Sequence, residues 1–224
     1  MPPARFFTKL GIFVQESFLA PEVCARVRAE MRAARASEAK VGVFGTADAV
    51  IKPDKRKTQL IDVSEETRAY IVGRLRETRL DIEQHFGLTF GTELELPKFL
   101  IYRTGDYFRA HTDRREDGVA PRVAKLRRVN LVAFLNGESE TVEPETFVGG
   151  SLTLYGLLDS PGWNDCGFRV VGTPGLLVAF PSTLFHEVLP ITGGERYSIV
   201  SRFLDPDPHA AAAPADAGEE SEAY

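Results

Sequence analysis

Cysteine is nearly absent from this chain: only Cys24 and Cys166 occur in 224 residues, and no CxxC spacing is present. A disulfide framework and a thiolate metal centre are thereby excluded, and both residues read as free thiols of a reducing compartment. No apolar run approaches the ~20 residues needed to span a bilayer, and Met1-Pro2-Pro3-Ala4-Arg5 lacks the apolar stretch of a secretory leader. The expectation is a cytoplasmic protein with no membrane partner. Tryptophan is confined to Trp163, no internal repeat is found, and no HExxH run supplies a zinc hydrolase with its ligands and base. Excess charge is also missing once the end of the chain is set apart. The formal net charge of -5 comes from the stretch after Leu204, which holds six acids and no Lys or Arg; the preceding residues hold 27 bases against 26 acids. So neutral a body offers no strong basic face for nucleic acid.

What is present is enough for one folded unit: 43% hydrophobic and 26% charged residues over this length predict a single domain. Its span is expected to be 1–204, with helical support over about 1–90 and a β core over about 91–204. The acidic segment 205–224 has too little apolar content to order and reads as a disordered tail. Pro21 suits a first helical position, and Val23, Val27, Met31 and Ala34 follow at helical spacing. A second helix, capped by Ser64 or Asp62, carries Ile71, Leu75, Ile82 and Phe86 on one face and stops at Gly87. Between them, Val41 to Asp62 reads as a strand and a mobile loop.

After Gly91 the pattern changes to seven short β-branched and aromatic segments separated by turn residues. They are roughly Leu96 to Arg103, Arg127 to Leu135, Ser151 to Tyr155, Phe168 to Val171, Leu176 to Phe180, Thr183 to Val188 and Arg196 to Leu204. Helices first and strands after, without βαβ alternation, predict a mainly β fold with flanking helices. The expected core is a double-stranded β-helix, a cupin-like jelly-roll buttressed by the N-terminal helices.

Four histidines are available for chemistry. His85 ends a helix and His209 falls in the tail, so both read as structural or incidental. His111-Thr112-Asp113 is different, because residues two apart on a strand or its exit project to one face. His111 and Asp113 can reach one ion while Thr112 points away, and His186 can add a third ligand from the facing sheet. Two imidazoles and one carboxylate suit non-heme Fe(II), with zinc as the competitor.

The surrounding residues sharpen the choice. Upstream runs Tyr102-x-x-Gly105-x-x-Phe108-x-x-His111-x-Asp113; Gly149-Gly150-Ser151 follows; downstream come His186-Glu187-Val188-Leu189-Pro190 and Gly194-Glu195-Arg196-Tyr197-Ser198. Over about residues 96 to 204 this constellation resembles the Fe(II)/2-oxoglutarate dioxygenases, in their prolyl 4-hydroxylase-like branch. The resemblance implies iron on His111, Asp113 and His186, with 2-oxoglutarate and O2 as cosubstrates and ascorbate as an auxiliary reductant. It implies that Arg196 grips the remote carboxylate of 2-oxoglutarate, for which a guanidinium is suited. Tyr102 matches the tyrosine that hydrogen-bonds the same carboxylate, Asn130 stands where relatives often carry threonine, and Val188 matches an apolar pocket residue. Phe134 departs from the hypoxia-sensing prolyl hydroxylases, which hold the cosubstrate with a tyrosine there. The aspartate at 113 favours hydroxylation over halogenation, whose enzymes replace it with a small residue.

Substrate contacts are expected from Arg202, Arg115, Arg128 and Arg56. Arg202 falls where the resembled prolyl hydroxylases place a tryptophan near the substrate, and Lys55-Arg56-Lys57-Thr58 resembles a short segment at the entrance. Arg115 and Arg128 belong to the basic run Arg114, Arg115, Arg122, Lys125, Arg127 and Arg128, offset by Glu116 and Asp117. Such a run attracts an acidic peptide, an amino-acid carboxylate or a phosphate. The expected substrate is a prolyl or other residue of a protein or peptide, or a free amino acid or small metabolite. Two alternatives remain: oxidative demethylation of nucleic acid, which the charge and the single tryptophan disfavour, and a non-catalytic metal- or sugar-binding jelly-roll.

Overall fold

The computed structural model describes residues 4–42, 49–158 and 166–207; Trp163, His209 and the tail beyond 207 lie outside them. Strand is the commonest regular element. A nine-stranded sheet has Leu94–Arg103 next to Ile191–Leu204, then Arg127–Phe134, Leu177–Pro181 and Phe13–Gln15 outward on that side. A five-stranded sheet runs in the order Phe168–Val170, Leu152–Leu154, His186–Val188, Tyr107–His111, Arg56–Lys57. Pairing is antiparallel within both, except where Gly137–Glu138 runs parallel to Thr146–Gly149.

Period-two alternation decides what each face of the large sheet does. Phe99, Ile101, Leu131, Ala133, Tyr197 and Ile199 pack with Val27, Met31, Ile71 and Leu75 of the helices in one core. The intervening Lys98, Leu100, Tyr102, Val132, Arg196, Val200 and Arg202 face a cavity of about 430 Å³. Residues of the smaller sheet, Phe108, His111, Leu152, His186 and Val188, close its other side. Each large apolar side chain removed from water into the helix-backed layer is worth roughly 1.5–3 kcal/mol.

The helices form as expected with one correction. Pro21–Ala33 begins at its proline and buries Val27 and Met31. Ser64 caps Glu65–Glu77 by accepting from the Thr67 amide at 3.2 Å. The anticipated single second helix is two, Glu65–Glu77 and Arg79–Phe86, parted at Thr78. The Thr78 hydroxyl donates to the Leu75 carbonyl at 2.8 Å, a bond of the kind that bends helices. Gly87 then terminates the second piece at φ +63.

Three further expectations are corrected. The single strand placed between Val41 and Asp62 is several: besides the short Val41–Gly42/Ala49–Val50 pair, Arg56–Lys57 joins the small sheet and Gln59–Ile61 the large one. The last segment, expected to begin at Arg196, begins at Ile191, so that Gly193 and Gly194 lie inside the long strand Ile191–Leu204, paired with Val148 and Phe147. The first residues of the supposed disordered tail are docked: Asp205 donates its amide to the Leu126 carbonyl and pairs with Arg114 at 2.7 Å, while Asp207 pairs with Arg122. Among the described residues no helix is long and apolar enough to cross a membrane.

Candidate iron and 2-oxoglutarate site

His111 ends the strand Tyr107–His111 and lies directly opposite His186 in the ladder of the small sheet. His186 therefore comes from the neighbouring strand and not from the facing sheet, which corrects the expected geometry while keeping the pair together. Asp113 follows two residues on, its amide donating to the Ser182 carbonyl at 3.0 Å. Thr112 turns its hydroxyl to the Arg114 carbonyl at 3.4 Å. The ligand atoms of His111, Asp113 and His186 lie within 4.8 Å of one another. His111 Nε2 is 3.8 Å from Asp113 Oδ1, and His186 Nε2 is 3.6 Å from Oδ2.

Both imidazoles are oriented from behind. His111 Nδ1 lies 2.8 Å from the Arg109 carbonyl and His186 Nδ1 lies 3.0 Å from that of Leu184. A carbonyl can only accept, so each Nδ1 carries the proton and each Nε2 turns a lone pair inward, the state a metal requires. Burial, then the neighbouring His186, brings the His111 pKa down to about 3, and burial lowers that of His186 as well. Burial would raise the Asp113 carboxyl, but Arg202 and the two imidazoles outweigh it and hold it well below the usual range. Two neutral nitrogen donors beside one carboxylate are the donor set that fits Fe(II) with open positions.

Arg196 supplies the second test of fit. It is 1% exposed and borders the same cavity. Its Nη1 donates to Ser198 Oγ at 3.0 Å, Nε has no hydrogen-bond partner, and no carboxylate forms an ion pair with it among the described residues. Its guanidinium sits 5.2 Å from the Tyr102 ring centroid and 4.9 Å from that of Phe134. The nearby Glu138 is engaged elsewhere, accepting from Ser151 and Arg169. A buried cation with aromatic walls and no counterion is complementary to an incoming carboxylate. Gly150 makes the close packing possible: at φ +66, a Cβ would lie 2.0 Å from Ile191 Cδ1 and 3.4 Å from Arg196 Cδ.

The remaining expected residues are distributed unevenly. Tyr102 and Val188 border the cavity. Asn130 is 1% exposed, accepts from the Ser182 hydroxyl at 2.8 Å and leaves Nδ2 without a partner; it alternates onto the same face as Val132 but does not border the cavity. Arg56 and Arg115 border the cavity, Arg56 4.5 Å over the Phe108 ring and Arg115 paired with Asp117 at 2.6 Å. Arg128 does not border it; its guanidinium lies 3.6 Å from Asp205. Arg202 turns onto Asp113 at 2.7 Å. His85 packs edge-on against Phe86 and Phe13, a structural histidine.

Sequence reasoning missed Lys98, Leu100, Val132, Leu152 and Val200 among the lining residues. Stepping by two from Tyr102 and Arg196 along their strands would have found Lys98, Leu100 and Val200. It also missed Phe108 as a ring stacked 3.6 Å from His111, and Glu95 as the partner of Arg202 and Arg127. Nothing local announces the Glu95 contacts.

Residues 97–203 match the family model described as the 2OG-Fe(II) oxygenase superfamily. PKHD-type hydroxylases of Bordetella pertussis and Bordetella bronchiseptica are each 29% identical over 179 residues, 80% of this chain and 71% of theirs. A Pseudomonas putida prolyl-4-hydroxylase superposes with a TM-score of 0.64 at 27% identity, covering 88% of this chain and 94% of its own. A Trichoplax adhaerens prolyl hydroxylase, solved with a hypoxia inducible factor peptide, shares the fold at a TM-score of 0.65 and 17% identity, over 90% of this chain and 87% of its own. These likenesses support a 2OG-Fe(II) oxygenase on the prolyl 4-hydroxylase-like side: residues 97–203 are similar to that superfamily, and the structure has the double-stranded β-helix fold of such enzymes. Fe(II), 2-oxoglutarate and O2 are the cofactor and cosubstrates that this family implies, and His111, Asp113 and His186 could hold the iron.

Proposed function

We propose that this chain hydroxylates an unactivated C–H bond of a prolyl or other amino-acid residue in a peptide or protein, or of a free amino acid or small metabolite. The observation that carries the reading is the buried Arg196, which pairs with no carboxylate among the described residues, on the same cavity as the His111, Asp113 and His186 triad. Fe(II) bound there, with 2-oxoglutarate and O2, supplies the oxidant, the cosubstrate leaving as succinate and carbon dioxide while one oxygen atom enters the substrate.

The residues divide the work. His111 and His186 offer neutral Nε2 donors and Asp113 a charged oxygen, so the triad is ready for the ion without a proton having to leave at neutral pH. Arg196 pairs with the remote carboxylate of 2-oxoglutarate, and Tyr102 adds its hydroxyl. Val132, Leu152, Val188 and Val200 make the walls between these polar ends apolar and limit water near the reacting atoms. Lys40, Arg56, Lys98, Arg115 and Arg127 also border the cavity, and Asp113 is the sole acid in its lining among the described residues. Lys98 and Arg127 are neutralised by Glu95 and Arg115 by Asp117, so it is Lys40 and Arg56 that favour a substrate bearing a carboxylate or phosphate. The hydroxylase names of the Bordetella and Pseudomonas relatives support an amino-acid substrate in a peptide. Two free thiols, one of them buried, suit a cytoplasmic site of action.

An anaerobic titration of metal-free protein with Fe(II) and then 2-oxoglutarate tests the reading. The visible charge-transfer band of the chelate is expected in wild type and is expected to vanish in His186→Ala. Iron binding without a band in wild type would remove the cosubstrate and favour the non-catalytic metal-binding alternative.

A further inference from the structure

Arg202 occupies a position from which the family resemblance leads one to expect contact with substrate, yet its guanidinium is turned inward. Nε and Nη2 both donate to one oxygen of Asp113, Oδ2, at 3.1 and 2.7 Å. Nη1 lies 3.6 Å from Glu95 Oε1. Glu95 is held in turn by Arg127 through two bonds, 2.7 Å to Oε2 and 2.8 Å to Oε1, and by Lys98 at 3.1 Å. Arg127 Nη1 then returns to the starting residue, donating to the Asp113 carbonyl at 3.1 Å. Asp113, Arg202, Glu95 and Arg127 thus close a ring of alternating charge in which no member is left uncompensated.

The ring treats the two oxygens of Asp113 differently. Oδ2 accepts both Arg202 bonds and lies 3.6 Å from His186 Nε2, whereas Oδ1 lies 3.8 Å from His111 Nε2 and accepts no hydrogen bond among the described residues. A carboxylate free to turn can offer both oxygens to a cation. With two imidazoles and a two-point cosubstrate, a two-point aspartate would fill a six-coordinate iron and leave no position for O2.

We propose that Arg202, backed by Glu95 and Arg127, is a positioning clamp that keeps Asp113 a one-oxygen metal ligand, engaging Oδ2 and presenting Oδ1. The inference rests on the iron reading above and extends it to the residues behind the ligand. Partners of this kind typically change metal affinity by 10–100-fold when removed.

The test is Mn(II) binding to metal-free protein, followed by calorimetry and by the EPR spectrum of the bound ion, in wild type, Arg202→Lys, Arg202→Gln and Glu95→Gln. Arg202→Lys keeps the charge and loses the fork, so it remains informative if the glutamine variant folds poorly. Both Arg202 variants are expected to bind Mn(II) at least 10-fold more weakly with a broadened spectrum, and Glu95→Gln to follow with a smaller loss. Ile71→Ala, in the helix-backed core, is expected to lower Tm while leaving Mn(II) affinity unchanged. Wild-type affinity and spectrum in both folded Arg202 variants would overturn the clamp, as would an equal loss of affinity in Ile71→Ala. Mn(II) binding by wild type that persists in His186→Ala would overturn the iron reading, and the clamp with it.

Discussion

Arg196 and Arg202 stand on one strand, 1% and 7% exposed, and border the same cavity, yet their surroundings are opposite. Arg202 is enclosed by carboxylates, Asp113 at 2.7 Å and Glu95 at 3.6 Å. Arg196 meets a serine hydroxyl and two aromatic faces. Burial of an arginine is tolerated where its charge is compensated, so Arg202 is satisfied by the fold alone. On the proposed reading Arg196 is satisfied when an anion arrives, so that one strand carries a cation that completes the protein at one end of the cavity and a cation that completes a ligand site at the other.

Replacing each arginine by methionine should separate these roles most sharply. Arg202→Met leaves Asp113 and Glu95 as buried charges lacking their shared partner, and breaking such a pair typically costs about 3–5 kcal/mol. Arg196→Met removes a charge that has no paired counterion among the described residues, so the ligand-free protein should keep or raise its Tm. Denaturant unfolding of the two variants checks the contrast; equal destabilisation would erase it.

Ligand binding should reverse the order. Truncating one partner of a buried charge pair costs on the order of 2–5 kcal/mol of binding, so Arg196→Met should weaken 2-oxoglutarate by roughly 30-fold or more while Fe(II) affinity stays near wild type. Calorimetry with each ligand measures the split. Unchanged 2-oxoglutarate affinity would detach Arg196 from the cosubstrate.

Acid should attack the paired end first. Burial would raise the Glu95 carboxyl, but Arg202, Arg127 and Lys98 bring it from 4.5 down to about 2. At about 1.4 kcal/mol per pH unit, that depression is worth roughly 3 kcal/mol. Because the folded pKa is the lower one, the contribution is fully present above pH 4.5 and disappears as pH falls toward 2. Glu95→Gln should therefore flatten the fall in stability across that window. A wild-type slope in this variant would show that other carboxylates control the acid transition.

The same contrast explains what could be read without coordinates. Arg196 was legible because its spacing from His186 and the residues around it repeat a family pattern, and its alternation with Tyr197 and Ile199 places it on the cavity face. The seven strand segments were legible from β-branched and aromatic runs, although Gly193 and Gly194 concealed the start of the longest. The Arg202 contacts were not, since Asp113 lies 89 positions away and Glu95 joins them only through sheet register. His186 was expected across the cavity because strand order cannot be read from spacing; the ladder puts it beside His111. The basic run after Asp113 looked free in one dimension, but Asp205 and Asp207 fold back onto Arg114, Arg122 and Arg128.

Tyr102→Phe gives the finest test of the comparison. Tyr102 is paired with Arg196 across the ladder, 2% exposed, and its ring lies under the guanidinium. Phenylalanine keeps the ring and its attraction for the cation and removes only the hydroxyl, so the stability of Arg196 in the ligand-free site should be unaltered. If the hydroxyl contributes one hydrogen bond to the bound carboxylate, its loss costs about 0.5–1.5 kcal/mol, a 2- to 12-fold weaker 2-oxoglutarate Kd with Mn(II) affinity unchanged. A larger loss would mean that the tyrosine shares the charge-binding role with Arg196, and no loss would leave the arginine as the anion site by itself.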